Sequence, residues 1–342
     1  MLAKLKDMFG PGGRVNLERR FSILHETPQG SMSRVYRASD KETGRTVCLK
    51  VQLPDKHAAA ESRADRVSRP PEGEIAMKVV HPNVVRTYEH GISSAGERFI
   101  VMEYVDGVSL KFVREATKVG VRAKVKLLAQ AADALAAVHA AGFIHHDVNP
   151  NNFLVDRENN VRLIDFGLAV PNTAAFQRPG NRTGMLQYMA PELIRRETTD
   201  ERIDIFGFGV MAYELLTDRL PFGGGTSLAQ MTHKINVDPM DPALANPRLS
   251  DELCEILRKT LARKPNQRWP KMSTLGDALR EVNPRRGKDD GKDEPREEAR
   301  VEPEDQATVE LNVQTNIQPK AEVTVDSQEE PWLDWISEPE AP

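Results

Sequence analysis

Apolar and polar positions change rhythm once along this chain. From Phe21 to about Val105 the apolar residues fall in short runs, FSILHE, RVYRASD, TVCLKVQL, VVRTYEHG and RFIVMEYV. Turn residues part them, such as KETG at 41–44 and SSAGE at 93–97. Such runs predict β-strands. One helical stretch interrupts them around Gly73–Val80, behind the hard break of Pro70-Pro71; the segment before it is Ala-rich but polar. Beyond Asp106 the period becomes helical. Residues Ala123–Ala141 place Val125, Leu128, Ala132, Leu135 and Val138 on one face, and Gly142 stops the run. Ile203–Leu216 and Ser250–Leu261 predict further helices. A strand-rich part at 21–105 followed by a helical part at 106–282 predicts an α+β fold of two lobes, not alternating βαβ units. Residues 1–20 read as a lead-in broken at Gly10, Pro11, Gly12 and Gly13.

Composition changes this picture in two places. With 342 residues, 39% apolar and 29% charged, the chain is neither collagen-like nor wholly disordered. Its two cysteines, Cys48 and Cys254, exclude a disulfide scaffold and a CxxC zinc pair. No apolar run approaches the roughly 20 residues of a membrane span. The opening MLAKLKDMFG is too short and too charged for a secretory signal, so the expected compartment is a reducing cytoplasm.

Net charge is −4 overall, but residues 284–342 hold 17 acidic and 7 basic side chains, a balance of −10 that leaves +6 for the rest. That acidic, Pro-rich segment at 283–342 is expected to be disordered, because it buries too little apolar surface to offset its ordering entropy. The basic excess forms no Lys/Arg run and has no interleaved aromatics, so nucleic acid is not an expected partner.

The chemistry lies in an ordered series of short motifs. A lysine sits in a β-run (VCLK, Lys50), HHDVNPNNFLV runs from His145 to Val155, and LIDFG from Leu163 to Gly167. YMAPE then ends at Glu192, and DIFGFGV starts at Asp204. Each alone is weak; the order and spacing are not.

Over residues 21–282 the chain resembles eukaryotic-type serine/threonine protein kinases and looks closest to their bacterial relatives. The resemblance implies a bilobal protein-kinase-like fold, with ATP as phosphoryl donor, Mg²⁺ and a protein substrate. It implies that Lys50 holds the α- and β-phosphates, that Asp165 is the main Mg²⁺ ligand and Asn152 the second, and that Asp147 receives or orients the attacking hydroxyl. Adenine would lie between Val35 and Cys48 above and Leu154 below, with Met102 at the back and Glu103, Tyr104 and Val105 as hinge. Glu192 with Arg268 matches a buried brace of the large lobe, and Asp204 an anchor of the catalytic-loop backbone. The helix glutamate that partners Lys50 is Glu72 or Glu74; an apolar residue four positions on (Ala76 against Lys78) favours Glu72.

Four positions depart from the family pattern. Of the glycine-rich loop only Gly30 remains. His146 stands for the arginine that reads a phosphorylated activation segment, which predicts little dependence on such phosphorylation, although Thr173 and Thr183 offer hydroxyls. Asn149 stands for the catalytic-loop lysine and would donate through its amide without the charge. Met185 stands for that lysine's threonine partner. Two readings follow: an active, slow kinase, or a pseudokinase that binds nucleotide and acts as a scaffold. In the tail, the alternating TVELNVQTNI and the anchors Trp332 and Trp335 suit a docking segment for a protein partner.

Overall fold

The computed structural model describes residues 14–27, 33–53, 69–115, 119–179, 184–224 and 233–284. Gly30, Thr183, residues 1–13 of the lead-in, most of the Ala-rich segment before Pro70, and the tail with Trp332 and Trp335 lie outside them.

The five apolar runs form one antiparallel sheet. Its strands are β1 (Phe21–Thr27), β2 (Ser33–Asp40), β3 (Thr46–Gln52), β4 (Thr87–Ile92) and β5 (Arg98–Glu103), in the order β1-β2-β3-β5-β4. The β2–β3 turn closes because Asp40 accepts from the Glu42 amide and the Thr43 hydroxyl, both at 3.0 Å. Central β3 has almost no exposed residues, so its Lys50 and Gln52 are carried into the interior. Phe21, Ala38, Val47, Leu49, Val51, Phe99 and Val101 form this lobe's core.

Val15 joins that core and bridges Ser93, while Asn16 caps the single turn α1 (Leu17–Arg20). Arg20 then reaches Asp40 and Glu89. Residues 14–20 therefore pack on the lobe. Two apolar contacts (Val15 and Leu17), one cap and the ion pairs of one arginine leave no periodicity for a sequence reading to find.

Helix α2 (Glu72–Lys78) starts directly after Pro71. The helical lobe follows: β6 (Gly107–Ser109), α3 (Leu110–Glu115), α4 (Val121–Ala140), β7 (Phe143–Ile144), β8 (Phe153–Asp156), β9 (Val161–Leu163) and β10 (Val170–Pro171). Then come α5 (Pro191–Ile194), α6 (Arg202–Thr217), α7 (Pro242–Ala245), α8 (Asp251–Thr260) and α9 (Met272–Glu281). The stripe predicted for α4 is its buried face: Leu128, Ala132, Leu135 and Val138 are wholly enclosed and Val125 nearly so. Each such Val or Leu contributes about 1.5–3 kcal/mol. Helix α6 is buried from Ile203 to Thr217, as a helix apolar on all sides must be. Gly209 lets it press on α8, since a Cβ there would lie 2.7 Å from Thr260 Cγ2.

The lobes are joined through β9. Leu163 donates its amide to Asn83 (2.8 Å) and accepts from Val85 (2.9 Å). Among the described residues no helix is long and apolar enough to cross a membrane.

Candidate active site

Lys50 projects from β3 into the space between the lobes. Its ammonium lies 2.7 Å from Glu72 Oε1 and 2.9 Å from Asp165 Oδ1. Gln52, two residues along the same strand face, donates to Glu72 Oε2 at 2.9 Å, so both oxygens of this buried carboxylate are satisfied. Burial alone would lower the lysine pKa; Glu72 and Asp165 outweigh it and push it above the ordinary range. Burial likewise works against ionised Asp165, yet Lys50 and the Gly167 amide hold its carboxyl below the usual value. The rival Glu74 is exposed and pairs with Lys78 one turn on, at 2.8 Å. Glu72→Gln is therefore expected to cut activity at least tenfold and lower Tm, because a buried ammonium loses its nearest charge. Glu74→Gln removes only a solvent-screened surface pair and should leave both near wild type. Equal effects in parallel melting and activity assays would overturn this pairing.

The catalytic loop starts where β7 ends, and α6 holds it from below. Asp204, in the first turn of α6, accepts from the amides of His145 (2.7 Å) and His146 (2.9 Å), with His139 Nε2 at 2.8 Å. Burial opposes its charge, but His139 chiefly keeps its carboxyl below the usual range.

His145 then links the two aspartates. Its Nδ1 accepts the Asp147 amide (3.3 Å), which leaves the proton on Nε2 to donate to the Asp165 carbonyl (2.6 Å). The Phe166 ring meets its edge at 5.7 Å. Asn152 Nδ2 donates to Asp147 Oδ2 (2.9 Å) and to its carbonyl (2.8 Å), which keeps the amide oxygen of Asn152 for another partner. Asn149 is buried, and its side chain serves the loop itself: Nδ2 reaches the Asp147 carbonyl (3.1 Å) and Oδ1 accepts from Asn151 (3.0 Å).

His146 is half-buried and in the left-handed region, with φ 66°. Burial lowers its pKa from the ordinary 6.5, so it is neutral and a poor phosphate partner. With a depressed folded-state pKa, the unfolded chain binds a proton that the fold refuses. Stability present above about pH 6.5 is thus lost as pH falls. Tm should decline from pH 7 towards pH 5 less steeply in His146→Asn; an identical slope would refute this.

The residues expected on the nucleotide side flank Lys50. Val35 is its register partner on β2, and Cys48 is that of Met102 on β5. Cys48 and Val105 pack with Val85, Ile100, Met102 and Ile164 in a small apolar cluster. Burial pushes the Cys48 thiol up to about 11, so it behaves as an apolar group. Leu154 on β8 pairs Ser109 across the strands, and Glu103 accepts from the Arg86 amide (3.3 Å).

Gly184 presses on the loop from the other side. At φ 91° its missing Cβ would lie 2.6 Å from the His146 carbonyl oxygen and 3.5 Å from Asp147 Oδ1. Past it, the Tyr188 hydroxyl donates to Glu214 (2.6 Å), and Glu192 meets Arg268 through two bonds of 2.6 and 2.8 Å.

The donor set suits Mg²⁺. Among the described residues no group of three or more His, Cys, Asp or Glu could cage a metal. Mg²⁺ needs no cage: one or two protein oxygens plus phosphates suffice, and Asp165 and Asn152 are the residues that would supply them. Sequence reading overlooked Gln52, His145 and Gly184. His145 alone left a trace, as the first of two adjacent histidines before Asp147.

Comparison with known proteins bears on the family. The protein kinase domain model matches residues 21–278. The probable serine/threonine-protein kinase pknA2 of Bifidobacterium longum is 32% identical over 259 residues, 74% of this chain and 33% of that protein. The serine/threonine-protein kinase PknB of Mycolicibacterium smegmatis is 33% identical over 265 residues, 74% of this chain and 41% of that protein. The serine/threonine-protein kinase pkn2 of Myxococcus xanthus is 33% identical over 281 residues, with shares of 80% and 33%. The chain thus spans about a third to two fifths of the length of the curated relatives it matches. By matched domain, fold and relatives, this chain belongs to the protein kinase domain family, in its eukaryotic-type serine/threonine branch with bacterial members.

Proposed function

We propose that this chain transfers the γ-phosphoryl group of ATP to serine or threonine hydroxyls of a protein substrate. The observation that carries the proposal is the continuous polar chain Glu72–Lys50–Asp165, tied through His145 to Asp147 and Asn152. Phosphoryl transfer requires positioning and charge neutralisation more than covalent help from the protein. Lys50, kept ionised by its two carboxylates, holds the α- and β-phosphates. Asp165 and Asn152 would hold Mg²⁺, which when bound would supply neutralisation of phosphate charge. Asp147 orients the acceptor hydroxyl and accepts its proton. Asn149 shapes the loop around Asp147 and brings no cation, so the rate is expected to fall below that of a site with one by about 10²–10³, as for a single lost electrostatic donor. Val35, Cys48, Met102, Glu103, Val105 and Leu154 receive adenine; the phosphate-side assignment of Gly30 falls outside the described residues.

The test is transfer of label from γ-labelled ATP with Mg²⁺ to the chain itself and to generic proteins. Label on serine or threonine supports the proposal. No transfer, with Mg·ATP still raising Tm, replaces it with a nucleotide-binding scaffold. We also assign the acidic tail to docking of a protein partner through Trp332 and Trp335, and the chain to a reducing cytoplasm. A chain ending at 284 that captures the same partners as the full chain would refute the docking role.

A further inference from the structure

Beneath the segment that follows Gly184 lies a buried cation with no catalytic duty. Lys234, on the helical turn 233–236, is 5% exposed. Its ammonium donates to the carbonyls of Leu186 (3.1 Å), Gln187 (2.5 Å) and Met189 (3.1 Å). Phe206 and Phe222, stacked at 5.9 Å, lie 5.7 and 5.6 Å from Nζ. No carboxylate among the described residues pairs with it, and burial works against its charge, whereas the three carbonyl acceptors require all three N–H groups of the ammonium. An ammonium held this deep without an acid is costly, and here three carbonyls and two ring faces alone offset the cost.

Those carbonyls belong to the stretch between Gly184 and α5. The other side of that stretch is seated on the catalytic loop. Met185, Tyr188 and Met189 share one cavity with His146, Asp147 and Val148. Met185 is 44% exposed beside it. With half-buried Leu186 and Gln187 it gives this stretch a solvent-facing side next to Asp147.

We propose that Lys234 is a positioning residue for the acceptor polypeptide: it fixes the 186–189 backbone as the ledge beside Asp147 and takes no part in holding the nucleotide. The proposal rests on the phosphotransfer reading above. It is a role for the lysine on the far side of the ledge, acting through backbone carbonyls rather than by touching either substrate.

The test compares wild type with Lys234→Arg, Lys234→Gln and Lys234→Met in the full chain, with dephosphorylated casein as acceptor. Arginine keeps enough donors for three carbonyls, glutamine offers two N–H groups, and methionine none. The acceptor KM should rise in that order, roughly tenfold for methionine as the ledge loosens. The KM for ATP, and ATP hydrolysis without acceptor, should stay within about twofold of wild type, because Lys234 stands outside the Lys50–Asp165 chain. If the methionine variant fails to fold, the Arg–Gln pair still decides. A flat acceptor KM in an active series overturns the role of Lys234 alone, as does a parallel change in both KM values and in hydrolysis. A wild type that transfers nothing overturns the phosphotransfer reading, and this proposal with it.

Discussion

Asp147→Asn is expected to lower γ-phosphoryl transfer by about 10²–10⁴-fold, the range for losing a positioned general base. The substitution is well isolated. An asparagine is nearly the same shape, and its amide oxygen can still accept from Asn152 Nδ2, now at 2.9 Å from Oδ2. The backbone of residue 147 keeps its bonds to His145, Asn149 and Asn152. Lys50, Glu72 and Asp165 are untouched, so Mg·ATP should protect the variant against heat as it does wild type. What disappears is the group that takes the proton. Transfer at the wild-type rate in this variant would remove Asp147 from the role assigned to it.

Much of this site could be read from the chain because its parts are local. Asp147 and Asn152 share one loop, Asp165 sits in a second short motif, and Lys50 lies in a strand whose apolar run is plain. The lobes were legible for the same reason: a stripe such as Val125 to Val138 declares its own buried face. Glu72 was harder. Two carboxylates two residues apart differ only in which way the helix turns, and packing against β3 decides it. Asn149 shows the opposite limit. Its residue type admitted an amide aimed at the reacting groups, whereas the folded loop spends that amide on its own backbone. Gln52 and Lys234 left no trace at all. A glutamine in a strand and a lysine in a polar stretch are commonplace, and only tertiary contact makes either one matter.

Arg268→Met should give the largest loss of stability, about 3–5 kcal/mol, the cost of leaving a buried charge unpaired. At roughly 2–4 °C per kcal/mol, Tm falls by about 6–20 °C. The pair it breaks is enclosed on both sides: the Arg268 side chain is wholly buried and that of Glu192 is 3% exposed. The guanidinium also satisfies the carbonyls of Ala262 (2.8 Å), Arg202 (2.9 Å) and Arg263 (3.1 Å), so it joins α5, α6 and the turn after α8. Removing Glu192 as well, as in Glu192→Leu with Arg268→Met, should recover part of the loss, since no charge is then stranded, while the three carbonyls remain unpaired. Arg268 and Lys234 both face the Phe206 ring, at 4.8 and 5.7 Å, and Glu192 lies in α5, three residues beyond Met189, the last carbonyl that Lys234 holds. Variants at 268 and 234 should therefore be non-additive in the acceptor KM, because one aromatic ring and one backbone segment carry both effects. A Tm drop under about 2 °C for Arg268→Met would show that water reaches Glu192 and that this brace does not hold the lobe.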